Sequence, residues 1–323
     1  MAGLIERHYR VHLPPSYRTD QPVSHAVVID FHGYYLWDWA DEEVTGLNEV
    51  ADLRSFITVY PQGMSDLTDV WDEGEGFSWN AAGTTGSPGR FGPTCEGNHS
   101  GYACYKSCRK IHGCNHTNTS LSHGCDSSSC VDDILFVEKL LDQLEADFCI
   151  NLERIHLTGI SNGAMMVYAL AMSRLGPRFG GVVPVEGAPL LGFLKAPTVP
   201  IALLDVHGTQ DGIIPANRSG PIPAQAGVGP GPHGSVISSD GFYYTTQRTI
   251  SQTWAAGPNH CNGAKTFVRT PWAGSDDSNF SCWAPHGGCK HGAVLRCTHA
   301  AGHIWPFYGI LPAINLKYAE LVW

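Results

Sequence analysis

A serine with glycines two residues to either side, Gly159-Ile160-Ser161-Asn162-Gly163, is the feature of this chain best suited to covalent chemistry. Attack on an acyl carbon needs a hydroxyl raised on a tight turn, and the glycines let backbone segments approach there. The same pentapeptide would also suit a helix N-cap, where serine is favoured. Its surroundings separate the two readings. Residues 154–158 read as a strand running into the turn, and 162–174, rich in Ala and Met, as a helix leaving it.

A serine nucleophile needs a base, and the base needs an orienting carboxylate. The apolar run 201–206 leads to Gly208-Thr209-Gln210-Asp211, which puts Asp211 just past a strand end, where ligand and catalytic groups collect in α/β sheets. Asp205 lies inside that run and is expected to be structural. An ordinary turn role is the plain alternative for Asp211, since Asp-Gly favours turns. For the base, His303 stands in Gly302-His303-Ile304-Trp305-Pro306, with His299 its rival and His286 and His291 more remote. Among sixteen histidines, spacing alone does not choose. The oxyanion of an acyl transfer would take the backbone N–H of Asn162 at a helix start and of Tyr34 after His32-Gly33.

The elements that must hold these groups alternate between short apolar runs and helical periods, the pattern of a mostly parallel sheet covered on both faces. Residues 27–31 and 56–60 read as strands, 131–148 as a helix with apolar residues at Ile134, Val137, Leu140, Leu141 and Leu144, and 182–185 as a further strand. The last strand is expected near 293–297 and a closing helix at 313–321. Asp132 and Asp133 stand where they would cap the helix and complement its dipole. Two stretches break the alternation: a cysteine-rich insertion at about 71–130, and a Pro/Gly-rich loop at about 216–240. Both read as excursions near the active-site face of a single domain spanning 1–323.

Eleven cysteines, six of them between Cys95 and Cys130 and four between Cys261 and Cys297, sit in loop-like sequence without a CxxC pair. That favours disulfides over structural zinc, and an odd count leaves at least one thiol over. Five N-x-S/T sequons, at Asn98, Asn115, Asn118, Asn217 and Asn279, also suit a secreted glycoprotein. Residues 1–7 lack the apolar core of a signal peptide, so secretion expects a leader already removed. The formal charge of −10 argues against nucleic acid, and no apolar run is long enough to span a membrane.

Six ordered motifs together resemble the polyhydroxybutyrate depolymerase/feruloyl esterase family, which groups secreted carbohydrate esterases with polyester depolymerases. They are Phe31-His32-Gly33, Trp79-Asn80-Ala81, Val131-Asp132-Asp133, the Ser161 pentapeptide with Met165, Gly208-Thr209-Gln210-Asp211 and Gly302-His303-Ile304-Trp305-Pro306. The resemblance covers nearly the whole stretch from Tyr9 to Trp305 and implies an α/β-hydrolase fold. It implies Ser161, Asp211 and His303 as a catalytic triad without cofactor or metal, and so selects His303. The implied substrates are feruloyl-type esters of plant polysaccharide, then short-chain polyester, then acetylated xylan. Trp79 and Trp305 are candidates for stacking on a feruloyl ring or sugar, or for holding the loops. The two insertions depart from the family pattern and would border the substrate cleft. The reading from another class is a non-catalytic binding protein on the same fold, and a zinc-binding module is the third.

Overall fold

The computed structural model describes residues 6–20, 23–66, 76–96, 105–112, 125–217, 228–271 and 280–306. In chain order the elements are β1 (Tyr9–His12), β2 (His25–Phe31), α1 (Asp38–Thr45), α2 (Leu47–Arg54), β3 (Ile57–Pro61), α3 (Lys106–His112), α4 (Asp133–Asp147), β4 (Ile150–Ile160) and α5 (Asn162–Ala171). There follow β5 (Gly181–Val185), β6 (Ala202–Gly208), the short β7 (Gly229–Pro230), β8 (Val236–Ile237) and β9 (Tyr243–Tyr244), α6 (Gln247–Ala256), β10 (Phe267–Thr270), β11 (Phe280–Pro285) and β12 (Val294–His299).

Nine strands form one sheet in the order β1-β3-β2-β4-β5-β6-β12-β11-β10. The six central strands run parallel, while β1 pairs antiparallel with β3 at one edge, and β11 with β12 and β10 with β11 pair antiparallel at the other. Strands β2, β3, β5 and β6 are buried almost throughout because helices cover the sheet, so their sequences are nearly continuous apolar runs. Helix α5 is apolar nearly all round and is buried in the centre of the molecule. Helix α4 begins as its aspartates suggest: Asp132 Oδ1 accepts from the Leu135 N–H at 2.9 Å. Asp133 instead pairs with Arg7 at 2.8 Å and accepts from the Asn80 N–H at 2.7 Å, tying the Trp79-Asn80-Ala81 segment to the helix.

The expected strands and the two expected helices within the described residues are present, with ends moved by a few residues. The closing helix expected at 313–321, much of the 71–130 and 216–240 excursions, and four of the five sequons lie outside the described residues; Asn217 lies within them, half-buried. Among the described residues, four disulfides join Cys95 to Cys125, Cys108 to Cys130, Cys261 to Cys289 and Cys282 to Cys297. The first two staple the insertion, and the last links register partners on β11 and β12. Cys149 is the free thiol among the described residues. No described helix is long and apolar enough to cross a membrane.

Strand β2 and helix α5 approach so closely that a Cβ on Gly163 would fall on the carbonyl oxygens of Phe31 and His32. Gly163→Ala should therefore destabilise the fold by about 1–3 kcal/mol, the usual scale of overpacking. Urea unfolding of the two proteins measures it, and equal midpoints would contradict the packing described.

Candidate active site

Strand β4 ends at Ile160 and α5 begins at Asn162, so Ser161 alone makes the turn. Its backbone is left-handed (φ 59°, ψ −122°), a conformation that a residue with a Cβ rarely adopts. The Ser161 N–H donates to Val185 O at 2.9 Å, and its carbonyl accepts from the Met165 N–H at 3.0 Å. Three glycines make room. A Cβ on Gly159 would stand 2.6 Å from Phe31 O, one on Gly163 would overlap that strand end, and one on Gly187 would stand 2.7 Å from Ser161 O.

The loop after β2 is held by His32, which is wholly buried. The Gly63 N–H donates to His32 Nε2 at 2.8 Å, with Gln62 Nε2 beside it at 2.9 Å, so Nδ1 carries the proton and donates to Gly33 O at 2.7 Å. Burial pushes the ring down to about 4, which keeps it neutral at pH 7. A trans peptide sets its C=O and N–H in opposite directions, so anchoring the Gly33 carbonyl also sets the direction of the Tyr34 N–H. Tyr34, Ser161 and His303 line both cavities at this face, one of about 640 Å³ and one of about 260 Å³. Asn162 lines the smaller one from the first turn of α5, where backbone N–H groups have no helical acceptor.

Trp79 is not a cavity residue. It is fully buried, stacked near Phe136 and edge-on to Phe31, and its indole Nε1 donates to His32 O at 3.0 Å. Its backbone N–H donates to Asn162 Oδ1 at 2.7 Å, and Asn162 Nδ2 donates back to Trp79 O at 3.0 Å. The substrate-stacking role considered for it is therefore corrected: Trp79 braces the two candidate oxyanion donors from behind. Trp305 does line the larger cavity, with Ile304 and Pro306.

Asp211 follows β6 and is buried. Its Oδ1 accepts from the N–H groups of Ile213 at 2.8 Å and Ile214 at 2.9 Å, and its Oδ2 meets His303 Nδ1 at 2.7 Å. Burial alone would raise this carboxyl, but the His303 hydrogen bond and charge outweigh it and set Asp211 below the usual carboxylate range. His303 thus shares cavity walls with Ser161 and is oriented by a carboxylate. His299 is buried away from both cavities against Glu186, and burial, with His207 nearby, pushes it down to about 4. His286 and His291 are exposed near the turn between β11 and β12. Asp205 lies fully buried on β6 beside His207 at 3.2 Å, the structural place expected of it.

Two groups escaped sequence reasoning. Glu186, directly after β5, is fully buried with a left-handed backbone (φ 50°), and its carboxyl reaches Asp211. Asp41 on α1 is buried in the wall of the larger cavity. The only signal for Glu186 was its place at the end of the strand read at 182–185. Nothing in the helical stretch around Asp41 distinguished it.

No protein-family model matches the chain. The probable feruloyl esterase C of Aspergillus clavatus is 36% identical over 86 residues, 27% of this chain and 31% of that protein. The bifunctional acetylxylan esterase/xylanase XynS20E of Neocallimastix patriciarum is 32% identical over 82 residues, 25% of this chain and 12% of its own length. The matched region thus spans less than a third of either relative. Among solved structures, the acetyl xylan esterase from Aspergillus awamori is similar over 97% of this chain and 93% of that one, with a TM-score of 0.53 at 10% identity. With the sheet described above, that likeness is one of fold, that of the α/β-hydrolases.

Neutral His32 generates a pH dependence of stability whose sign follows from its folded value of about 4 against an ordinary 6.5. The unfolded chain takes up this proton first, so the ring's contribution is whole above pH 6.5 and is lost as pH falls toward 4. The stability advantage of the wild type over His32→Phe should shrink by about 3 kcal/mol between pH 7 and pH 4. Denaturant unfolding at both pH values tests this; an advantage that grows on acidification would contradict it.

Proposed function

We propose that this chain, a relative of the feruloyl and acetylxylan esterases, is a serine carboxylesterase whose catalytic triad is Ser161, His303 and Asp211. The observation that carries the reading is the 2.7 Å contact of His303 Nδ1 with buried Asp211, on a cavity wall shared with the left-handed Ser161. With Nδ1 engaged by the carboxylate, Nε2 is the nitrogen left to act as base. It takes the proton of Ser161 Oγ as that oxygen attacks the ester carbonyl, and returns it to the departing alcohol. The N–H groups of Tyr34 and Asn162 hold the oxyanion, a role in which one donor is worth about 3–4 kcal/mol of barrier. Water, activated by His303, then cleaves the acyl-enzyme to free acid and Ser161.

The favoured substrate class is a hydroxycinnamate ester of plant polysaccharide. A cavity of about 640 Å³ is far larger than an acetyl group requires, and Leu36, Val44, Ile160, Ile304 and Trp305 give it apolar walls suited to an aromatic acyl group. Asp41 is the acidic residue of that wall, and its Oδ2 is buried with no hydrogen-bond partner among the described residues. Burial, then the charges of Asp30 and Asp38, push that carboxyl well above the usual range, which favours its protonated, hydrogen-bond-donating form. A phenolic hydroxyl or methoxy oxygen on the acyl ring fits such a group. Acetylated xylan is the second reading, carried by the names of two of the similar proteins. Residues 1–323 would act as one catalytic domain, with the 71–130 and 216–240 excursions bordering the cleft. Four disulfides suit an oxidising, extracellular setting.

Ser161→Ala should lower p-nitrophenyl acetate turnover by about 10⁴-fold or more, and Asp211→Asn by about 10⁴-fold; wild-type rates in Ser161→Ala would end the esterase reading. Comparing methyl ferulate, acetylated xylan and polyhydroxybutyrate should give the highest kcat/KM on the ferulate. Asp41→Leu should erode the preference for methyl ferulate over methyl cinnamate by about 5-fold, the worth of one hydrogen bond. An unchanged preference would remove Asp41 from the acyl site.

A further inference from the structure

Beneath the Asp211–His303 pair lies a second carboxyl group that the esterase mechanism above does not use. Glu186 leaves β5 with a left-handed backbone, no solvent exposure, and its N–H donating to Val206 O at 2.9 Å. Its Oε2 accepts from the Gly208 N–H at 2.8 Å, Oε1 meets His299 Nε2, and the carboxyl stands next to that of Asp211. Ligating atoms of Glu186, Asp211 and His303 all lie within 4.8 Å of one another.

Two buried carboxyls this close strongly disfavour a second negative charge, so a proton kept by one of them would lie between the pair. The neighbours decide which. Asp211 faces three donors, the N–H groups of Ile213 and Ile214 and the Nδ1–H of His303, and is the anion. The Ala301 N–H donates to His299 Nδ1 at 3.3 Å, which leaves the His299 proton on Nε2, pointing to Glu186. Glu186 therefore accepts from His299 and Gly208 and has a donor to offer only if it is the acid. Burial, followed by the charge of Asp211, raises it well above the usual carboxylate range, and Asp205 adds to this. The other titratable groups around it are Asp205 and His207 on β6 and His299 on β12. Asp205 sits beside His207, which it lifts against the opposing effect of burial, and His299 is neutral.

We propose that Glu186 is a positioning residue, a neutral carboxylic acid that donates a hydrogen bond to the Asp211 carboxylate. Through Gly208 and His299 it also clamps the loop bearing Asp211 against the loop bearing His303. The inference rests on Asp211 and His303 being the catalytic pair. Its consequence is a site with one negative charge under the base and a carboxylate unable to turn away from the imidazole.

The experiment compares wild type, Glu186→Gln, Glu186→Ala and Ser161→Ala. The infrared difference spectrum of wild type minus Glu186→Gln at neutral pH should contain the carbonyl stretch of a protonated carboxyl; carboxylate bands in its place would overturn the proposal. In p-nitrophenyl acetate hydrolysis, Glu186→Ala should lower kcat about 10²-fold, the scale of a ~1 Å misplacement, with a much smaller change in KM. Glu186→Gln, whose amide can still donate to Asp211, should recover at least about ten-fold of that loss. Its acidic limb of kcat/KM against pH should coincide with the wild-type limb, since one neutral group replaces another. A limb displaced to lower pH in Glu186→Gln would show that Glu186 had been an anion, and the proposal would fall. Should Glu186→Ala not fold, the glutamine variant and the infrared spectrum still decide. Full activity in Ser161→Ala would sink the esterase reading instead, while the infrared result would continue to judge the proton on Glu186.

Discussion

The strained turn at Ser161 sets the terms for everything around it. A left-handed backbone at a residue with a Cβ costs about 1–3 kcal/mol and persists only where its surroundings over-determine it. Here a hydrogen bond to Val185 fixes one side of the peptide and the first turn of α5 fixes the other. Gly159, Gly163 and Gly187 then allow β2, α5 and the end of β5 to close on the turn without intervening side chains. The end of β2 is thereby pressed against the first turn of α5, and the loop carrying His32, Gly33 and Tyr34 lies beside Ser161 as a result. The strained turn at Ser161 and the proximity of the loop proposed to hold the oxyanion have one packing cause.

Around that turn the protein keeps buried polar groups satisfied in pairs rather than leaving them to solvent. His32 is neutral between a donor from Gly63 and the carbonyl of Gly33. Trp79 and Asn162 exchange two hydrogen bonds, and the indole caps His32 O, so one tryptophan ties both halves of the proposed oxyanion site to α4 through Asn80 and Asp133. On the far side of Ser161, Asp211, Glu186, His299 and Gly208 form a comparable set under His303. Disulfides carry the same logic outward. Cys95–Cys125 and Cys108–Cys130 close an insertion that is poor in periodic apolar residues and so needs cross-links to hold its shape.

Much of the scaffold was legible because the parallel strands are buried on both faces and announce themselves as apolar runs bounded by turns. The misses have physical reasons. Helices α1 and α2 are eight residues each, joined directly at left-handed Gly46, and too short to show a clear helical period. Strands β10 and β11 are antiparallel, only partly buried and cut by polar residues, which weakens the apolar-run signal. Trp79 was ambiguous because an aromatic beside a catalytic motif serves a core or a cleft with the same sequence.

Ser161 with its strand and helix was legible in the sequence itself, since the apolar run 154–158, the pentapeptide and the Ala/Met-rich stretch 162–174 are contiguous and are read together. The histidine was different. The residues themselves left several candidates open, and a family resemblance chose among them. In the structure the histidines differ by what they reach across the chain: His303 meets Asp211, 92 positions away, and lines the cavity, while His299 turns to Glu186, 113 positions away. Which acid is ionised, which tryptophan is buried and what Asp41 faces were likewise decided by tertiary packing. Each depends on desolvation and on partners from other strands, and neither is written in local spacing.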